Sequence, residues 1–189
     1  MFNPYIHKTE GDLSRADVVA LTLLCRGKNV VEFGVGGSTV ILSKIANSVI
    51  SFDTDPGWID RIKPKAPNVE FKLIEKKADA LIPIYPCDIL FDDGWSLLRP
   101  PFLLKYWNVI KEYAILHDGR MTYAGNCVKR LIDSFIIKNE PNEYNPGLPD
   151  NPYTGSLESI YWNYLESNMV VLKKRNCTLK YENWKVTEK

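Results

Sequence analysis

The sequence predicts a doubly wound α/β fold, in which helices cover both faces of a mostly parallel β-sheet. Short apolar runs alternate with helical segments along the first two thirds of the chain, as right-handed crossovers between parallel strands require. The runs at residues 89–91 and 114–116 are continuously apolar, which is typical of strands buried on both faces. A glycine-rich segment follows the first predicted strand, where such sheets bind their ligands.

The elements are predicted from hydrophobic periodicity and from the residues that bound each run. Strands are predicted at residues 29–33, 49–53, 69–74, 88–92 and 114–117. Helices are predicted at residues 12–25, 39–46, 56–62, 101–112 and 125–138. Two more strands, at residues 159–165 and 169–174 with a turn at 166–168, form a predicted C-terminal hairpin that adds antiparallel pairing to the sheet.

The length and charge of the chain limit its organisation. A chain of 189 residues is the size of one domain, so we predict a single domain over residues 1–189. The 24 basic and 23 acidic residues form no long block, and nothing in them indicates specific binding of nucleic acid. Without an apolar stretch of the ~18 residues that a membrane span needs, and without a leader pattern, we expect a cytoplasmic protein. Its oligomeric state is open.

The four cysteines occur singly, without a CxxC pair or a Cys/His cluster. They are Cys25, Cys87, Cys127 and Cys177. This spacing favours reduced thiols over a zinc site or a disulfide framework.

The glycine loop after the first strand favours a cofactor without phosphate. Gly34, Gly36 and Gly37 allow a tight turn from strand to helix and let a ligand approach the backbone. The dinucleotide fingerprint would have glycine where Thr39 stands, and no Gly-Lys-Ser/Thr ending marks a P-loop. Glu32, two residues before the loop, would repel a pyrophosphate but attract a cationic amino group.

The second strand ends in a pair of carboxylates. Asp53 lies about 20 residues after Glu32, the offset at which a carboxylate of this fold accepts ribose hydroxyls. The alternative is that Asp53 and Asp55 only cap the helix that opens at Pro56. Both interpretations hold if Asp55 caps the helix and Asp53 binds the ribose.

Between residues 29 and 118, the order and spacing of the motifs resemble those of the class I S-adenosylmethionine-dependent methyltransferases. The motifs are Glu32-x-Gly34-x-Gly36-Gly37-Ser38-Thr39, Phe52-Asp53-Thr54-Asp55, Lys77-Ala78-Asp79-Ala80, Asp88-Ile89-Leu90-Phe91-Asp92-Asp93-Gly94 and Ile115-Leu116-His117-Asp118. The resemblance implies a seven-stranded sheet with one antiparallel strand, and S-adenosylmethionine as the cofactor.

By this resemblance, Glu32 reaches the methionine amino group directly or through water, and Gly34 and Gly36 pass beneath the cofactor. Asp79 would lie by the adenine amino group and Asp93 near the sulfonium. The predicted cofactor-binding residues are Glu32, Gly34, Gly36, Gly37, Ser38, Asp53, Thr54, Asp79 and Asp93.

The predicted catalytic residues are His117, Asp93 and Asp118, at the ends of the fourth and fifth strands. Methyl transfer needs an aligned nucleophile and often a base, and His117 could accept a proton while a neighbouring carboxylate orients it. The alternative is a structural histidine. Asp93 and Asp118 also resemble the magnesium-binding acids of some small-molecule O-methyltransferases, but Gly119 stands where those enzymes carry an Asn or Asp ligand, so Mg²⁺ is doubtful.

We therefore predict an enzyme that transfers methyl groups to oxygen or nitrogen of a small molecule or glycan. Residues 140–156, with Tyr144 and Tyr153, and the segment 5–7 are hypothesised to form the acceptor pocket, although a solvated loop fits equally. Arg99-Pro100-Pro101-Phe102 indicates a helix start and not the tetrad of amino-methylating DNA enzymes, which would end the fourth strand. Two alternatives stay open: a non-catalytic cofactor-binding module, and an NAD-dependent oxidoreductase, which Glu32 and Thr39 disfavour.

Overall fold

The computed structural model describes residues 13–77, 81–95, 98–117, 157–161 and 169–174. In chain order the elements are α1 (Arg15–Cys25), β1 (Asn29–Phe33), α2 (Gly37–Ile45), β2 (Ser48–Asp53), α3 (Pro56–Ile62) with a 3-10 turn (Lys63–Lys65), β3 (Glu70–Leu73), β4 (Cys87–Asp92), α4 (Arg99–Trp107), β5 (Ile110–Leu116), β6 (Leu157–Tyr161) and β7 (Val170–Lys174).

These strands form one sheet in the order β3-β2-β1-β4-β5-β7-β6. Strands β1 to β5 are parallel to one another, and β7 runs antiparallel to both β5 and β6. The doubly wound α/β class is therefore confirmed. The predicted turn at residues 166–168, the helix at 125–138 and the loop at 140–156 lie outside the described residues, so the hairpin stays a prediction.

The strand order reverses at β1, which lies between β2 and β4. Phe33 at the end of β1 is in register with Phe52 on one side and Asp92 on the other. Backbone hydrogen bonds continue past the strand ends: Gly34 N–H donates to Phe52 O over 2.8 Å, and Asp93 N–H donates to Phe33 O over 2.7 Å. The chain thus opens a crevice at the carboxyl edge of the sheet, the usual ligand site of such folds.

The core has two layers, one on each face of the sheet. On the α4 face, the Phe102 ring stacks on Phe33 at 4.6 Å and on Tyr106 at 5.0 Å between centroids. On the other face, α1 and α2 bury Leu21 and Leu42 against Ile89 and other apolar strand residues. This burial of both faces explains the continuously apolar strands.

The prediction was wrong at the end of α4. The predicted helix ran to residue 112, but α4 ends at Trp107 and β5 begins at Ile110. Lys111 and Glu112 resemble the charged surface of a helix, yet both lie in β5, where Lys111 pairs with Asp88 and Glu112 with Lys28. Ion pairs to distant partners leave no periodic signal in the sequence.

The helix starts follow local capping chemistry. The first predicted helix began at residue 12, whereas α1 begins at Arg15 because Ser14 and Asp17 form a capping box. Helix α4 begins at Arg99 with proline in its first turn, which confirms the predicted helix start there. None of the described helices is long and apolar enough to cross a membrane.

Arg99 connects the ends of β4 and β5 from inside the protein. Its guanidinium donates to the backbone oxygen of Asp92 over 2.9 Å and to that of His117, and it lies 3.6 Å from the Asp92 carboxylate. Both side chains are buried. Burial raises the pKa of Asp92 to about 7, while the charge of Arg99 opposes that rise.

Replacing Arg99→Met should lower the free energy of unfolding by about 3–5 kcal/mol, because it leaves Asp92 buried without its counter-charge. Urea unfolding of the purified protein measures this. The matched control is Arg26→Met, since Arg26 is exposed just after α1 and should leave the unfolding midpoint unchanged. Equal midpoints for the two variants would show that Arg99 does not stabilise the strand ends.

Candidate active site

A cavity of about 410 Å³ opens at the carboxyl edge of the sheet. Its walls come from residues 34–38 after β1, 53–55 at the end of β2, 93–95 after β4 and His117 after β5, together with Leu13, Trp58 and Lys76. This volume is within the range of small-ligand sites, roughly 300–1,000 Å³. Of the predicted site residues, Gly34, Gly36, Gly37, Ser38, Asp53, Thr54, Asp93 and His117 line this cavity.

Glu32 lies behind the cavity wall. It is fully buried, and its two carboxylate oxygens accept hydrogen bonds from Ser38 Oγ (2.6 Å) and from Ser51 Oγ. Burial raises the pKa of Glu32 to about 7, although these hydroxyl donors oppose the rise. Ser38 itself lines the cavity. Because its hydroxyl proton is directed to Glu32, its oxygen retains lone pairs that can accept a hydrogen bond from a ligand.

Gly34 is required by the packing of two strand ends. Its φ is +101°, and an added Cβ would lie 2.6 Å from the backbone carbon and oxygen of Asp93. The backbone of Gly36 is extended, and an added Cβ there would meet no atom within 4 Å. Its N–H donates to Thr39 Oγ1 over 2.9 Å, which fixes the start of α2. These two of the three predicted loop glycines therefore differ: the fold needs Gly34, and the open space is at Gly36.

Asp53 ties the glycine loop to the end of β2. One carboxylate oxygen accepts from Val35 N–H over 2.7 Å and the other from Asp55 N–H over 2.8 Å. Burial raises the pKa of Asp53, while these amide donors oppose the rise. Asp55 accepts from Gly57 N–H over 2.8 Å and caps α3, as predicted. The predicted ribose contact of Asp53 stays a prediction.

His117 lies between two carboxylates. Its Nδ1 is 3.0 Å from Asp93 Oδ1, and its Nε2 is 3.4 Å from Asp17 Oδ2. The His117 and Asp17 side chains are 3% and 1% exposed, whereas Asp93 is 27% exposed. The sequence predicted that a neighbouring carboxylate orients His117. In the structure Asp93 is next to the His117 ring, whereas the Asp92 carboxylate lies beside Arg99.

Two predicted residues cannot be placed. Asp79 and Asp118 lie outside the described residues, and with them the adenine contact and the second ligand of the doubtful Mg²⁺ site. Within the described ranges, no group of three or more His, Cys, Asp or Glu residues could hold a metal ion. The cysteines in those ranges, Cys25 and Cys87, are buried and are not part of a disulfide bond.

No protein-family model and no curated protein matches this chain. Solved structures do. A methyltransferase-like protein from Silicibacter pomeroyi has a TM-score of 0.58 at 12% identity, with 92% of each chain covered. The O-methyltransferase TomG from Streptomyces achromogenes, solved with SAM, has a TM-score of 0.58 at 14% identity over 86% of this chain and 81% of its own.

The tRNA (m1A58) methyltransferase TrmI from Aquifex aeolicus has a TM-score of 0.55 at 17% identity, over 88% of this chain and 71% of its own. With the strand order described above, these similarities settle the fold. This is the fold of the class I S-adenosylmethionine-dependent methyltransferases. The resemblance found in the motifs is thus confirmed at the level of the methyltransferase fold.

Sequence reasoning missed several residues of this methyltransferase fold. Ser51 belongs to β2, and only the strand register places it beside Glu32. In the sequence Asp17 was only one position of the helix predicted at residues 12–25, and Arg99 was only part of a predicted helix start. Lys76 lies 5.0 Å from the ring of Trp95, and both line the cavity. Because Lys76 and Trp95 lie on separate loops, no regular spacing in the sequence indicates that they are in contact.

Gly34→Ala should lower the free energy of unfolding. The positive φ at this position alone would cost an alanine about 1–3 kcal/mol. The expected loss is larger, because the added Cβ would also collide with the Asp93 backbone. Gly36→Ala is the matched control, since its extended backbone and the open space accept a methyl group. Urea unfolding of both variants measures the difference. A Gly34→Ala protein as stable as Gly36→Ala would contradict the close contact of β1 and β4.

Proposed function

We propose that the protein is an S-adenosylmethionine-dependent methyltransferase that acts on oxygen or nitrogen of a small molecule or glycan. The observation that carries the proposal is the Glu32–Ser38 pair, which gives the cavity an anionic subsite. When bound, S-adenosylmethionine supplies a methyl group already activated on its sulfonium. The residues described below would bind the cofactor, orient the acceptor and receive its proton.

The amino-acid end of the cofactor would lie at Ser38. An ammonium group can donate to the Ser38 oxygen, whose proton already points to Glu32. The buried negative charge of Glu32 then attracts the ammonium group from behind the wall. Ser51 holds the other carboxylate oxygen in place. The same charge repels a pyrophosphate, which argues against the NAD-dependent alternative.

The ribose end would lie at Asp53. Each carboxylate oxygen offers two acceptor positions, and the amides of Val35 and Asp55 occupy one on each. The Thr54 amide also acts on this carboxylate as a hydrogen-bond donor, and the remaining acceptor capacity can bind a ligand hydroxyl group. Thr54 also lines the cavity, and the glycine loop leaves open space at Gly36, where an added Cβ would meet no atom within 4 Å. Asp53 would therefore bind the cofactor and hold the loop at the same time.

At the reacting end, the geometry favours Asp93 over His117 as the proton acceptor. Asp93 lines the cavity and is partly exposed, while both ring nitrogens of His117 face carboxylates. Asp93 would receive the proton that the acceptor loses when its oxygen or nitrogen takes up the methyl group. Asp118, predicted beside His117, remains a further candidate.

The acceptor class is proposed from charge and from the similar folds. The formal charge of +1, without a basic block, favours a small or neutral acceptor over a nucleic-acid backbone. The fold is shared with an O-methyltransferase but also with a tRNA methyltransferase. An acceptor panel should therefore include phenols, amines, sugars and a tRNA, with S-adenosylhomocysteine release as the readout.

The purified protein should bind S-adenosylmethionine and S-adenosylhomocysteine, but not NAD, in isothermal titration calorimetry. Asp53→Ala should weaken S-adenosylhomocysteine binding by roughly 10- to 100-fold, because hydrogen bonds to a charged group contribute about 1.5–3 kcal/mol. Asp60→Ala, an exposed change on α3, is the matched control and should bind normally.

Binding of NAD without binding of the adenosyl ligands would refute the proposal. Binding of the adenosyl ligands with no product from any acceptor would instead favour a non-catalytic module. Melting temperatures without ligand check that Asp53→Ala is folded, since this variant also loses the contacts to Val35 and Asp55.

The affinity for S-adenosylhomocysteine should increase with pH. The pKa of Glu32 is raised to about 7 in the free protein, and a bound ammonium group favours the ionised form and so lowers that pKa. Binding therefore releases a proton, and the affinity should rise roughly 5- to 10-fold between about pH 6 and 7.5. Glu32→Gln, which has the same shape and no charge to titrate, should bind more weakly and with a flat profile. An unchanged slope in this variant would remove Glu32 from the amino-group site.

A further inference from the structure

Lys76 and Trp95 connect two separate segments at the carboxyl edge of the sheet. The Lys76 Nζ lies 5.0 Å from the centre of the Trp95 ring, within the distance of a cation–π interaction. Lys76 follows β3 and Trp95 follows β4, and in the sheet β2 and β1 lie between these two strands. Both residues line the cavity. The Lys76–Trp95 pair therefore spans the ends of two strands and forms part of the cavity wall.

Lys76 gives this wall a positive charge. Among the described residues that line the cavity, no other lysine or arginine occurs. Lys72 and Lys77, in the same segment, each form an ion pair with a glutamate two residues away. Within the described ranges Lys76 has no carboxylate partner of this kind, and its side chain is exposed. An ammonium group that lies over a ring still has N–H groups to donate to an anion.

Trp95 adds an apolar surface beside this charge. The residue is partly buried and packs against the apolar core on the α4 face of the sheet. Its ring is therefore held by the core on one side and lines the cavity on another. A few charged groups beside aromatic surface are typical of sites that bind small molecules. The pair matches a ligand that has an anionic group next to a flat ring.

The Lys76–Trp95 pair lies next to the proposed reacting end. Trp95 is two residues after Asp93, so their Cα atoms are at most roughly 7 Å apart. Within the described ranges Lys76 and Asp93 form no ion pair with each other. An acceptor whose oxygen or nitrogen lies at Asp93 can therefore place another of its groups at Lys76. Because Asp93 repels negative charge, the anionic group and the methylated atom belong on different parts of the acceptor.

We propose that Lys76 and Trp95 form a subsite for an anionic group of the methyl acceptor. The acceptor is then a small molecule or glycan that carries an anion, such as a carboxylate, together with a flat ring. Trp95 packs against that ring, Lys76 donates to the anion, and the atom to be methylated lies at Asp93. The assignment to the acceptor rests on the proposed function, whereas the binding of an anion at Lys76 does not.

The cofactor supplies a second carboxylate that could reach Lys76. This carboxylate is bonded to the same carbon as the ammonium group, which is proposed to lie at Ser38 in front of Glu32. It therefore stays near the glycine loop, whereas Trp95 belongs to the segment after β4. The position of Trp95 two residues after Asp93 favours the acceptor. Calorimetry separates the two sources, because S-adenosylhomocysteine contains the cofactor carboxylate and no acceptor.

NMR tests anion binding at Lys76 without any cofactor. The probes are benzoate and glucuronate, and the shape-matched neutral controls are benzamide and glucuronamide. The indole N–H signal of Trp95, assigned among the five tryptophans with Trp95→Phe, should shift with at least one of the two acids and not with its amide. Lys76→Met keeps a long apolar side chain but removes the charge, so it should lose this shift.

Lys77→Met is the matched control for this titration. It removes the same charge from the next residue, which does not line the cavity, so the acid should shift the Trp95 signal as in the parent. Equal shifts with an acid and its amide, or no shift with either acid, would overturn the anion site. A shift that persists unchanged in Lys76→Met would do the same.

Turnover tests the assignment to the acceptor. The parent should methylate 4-hydroxybenzoate or glucuronate with a higher kcat/KM than the matching amide. Lys76→Met should reduce this ratio by about 5-fold, the upper end for a charge pair that water reaches, and Lys76→Glu should reverse the preference. A parent that methylates the amides better than the acids, or a ratio that is unchanged in Lys76→Met, would contradict an anionic acceptor.

Calorimetry with S-adenosylhomocysteine distinguishes the remaining outcomes. Lys76→Met should bind this ligand as the parent does. A loss of affinity in this variant, with Lys77→Met normal, would assign Lys76 to the cofactor carboxylate and overturn the acceptor subsite. A parent that binds no S-adenosylhomocysteine would refute the methyltransferase proposal, while the NMR result for Lys76 stands on its own.

Discussion

The close contact of β1 and β4 is the constraint on which the rest of the site depends. At position 34 the two strand ends approach until no side chain fits between them, and the ladder of backbone hydrogen bonds continues through Gly34 and Asp93. This contact sets the distance between the glycine loop and the residues after β4. The cavity is the space that remains when these ends are fixed, so its shape follows from backbone packing before any ligand enters.

Three acids at this edge are buried, and the protein stabilises each with a different kind of group. Two serine hydroxyls bind Glu32, backbone amides bind Asp53, and an arginine pairs with Asp92. Hydroxyls and amides leave the negative charge largely uncompensated, whereas the guanidinium neutralises it. Glu32 and Asp53 can therefore still attract a cation or accept from a donor. Asp92 is committed to holding the strand ends together.

Local signals explain what could be predicted from the sequence. The bounds of β1 and α3 were predicted correctly, because a polar or glycine residue ends each apolar run and Asp55 with Pro56 marks a helix start. Most of the cavity wall was also predicted, since the acids and glycines stand at strand ends. The contact of Glu32 with Ser51 was not, because it depends on the register of β2. Asp17 and His117 are 100 positions apart, and only the packing of α1 brings them together.

Arg99 also imposes an order on how the domain can be completed. Its partners are the backbone oxygens of Asp92, which precedes it, and of His117, which is made 18 residues later. While the chain emerges amino terminus first, β1 to β4 and the first turn of α4 are available before β5 exists. Until then the guanidinium lacks one of its two backbone acceptors. His117 also lines the cavity, so the cavity wall is complete only when β5 is in place.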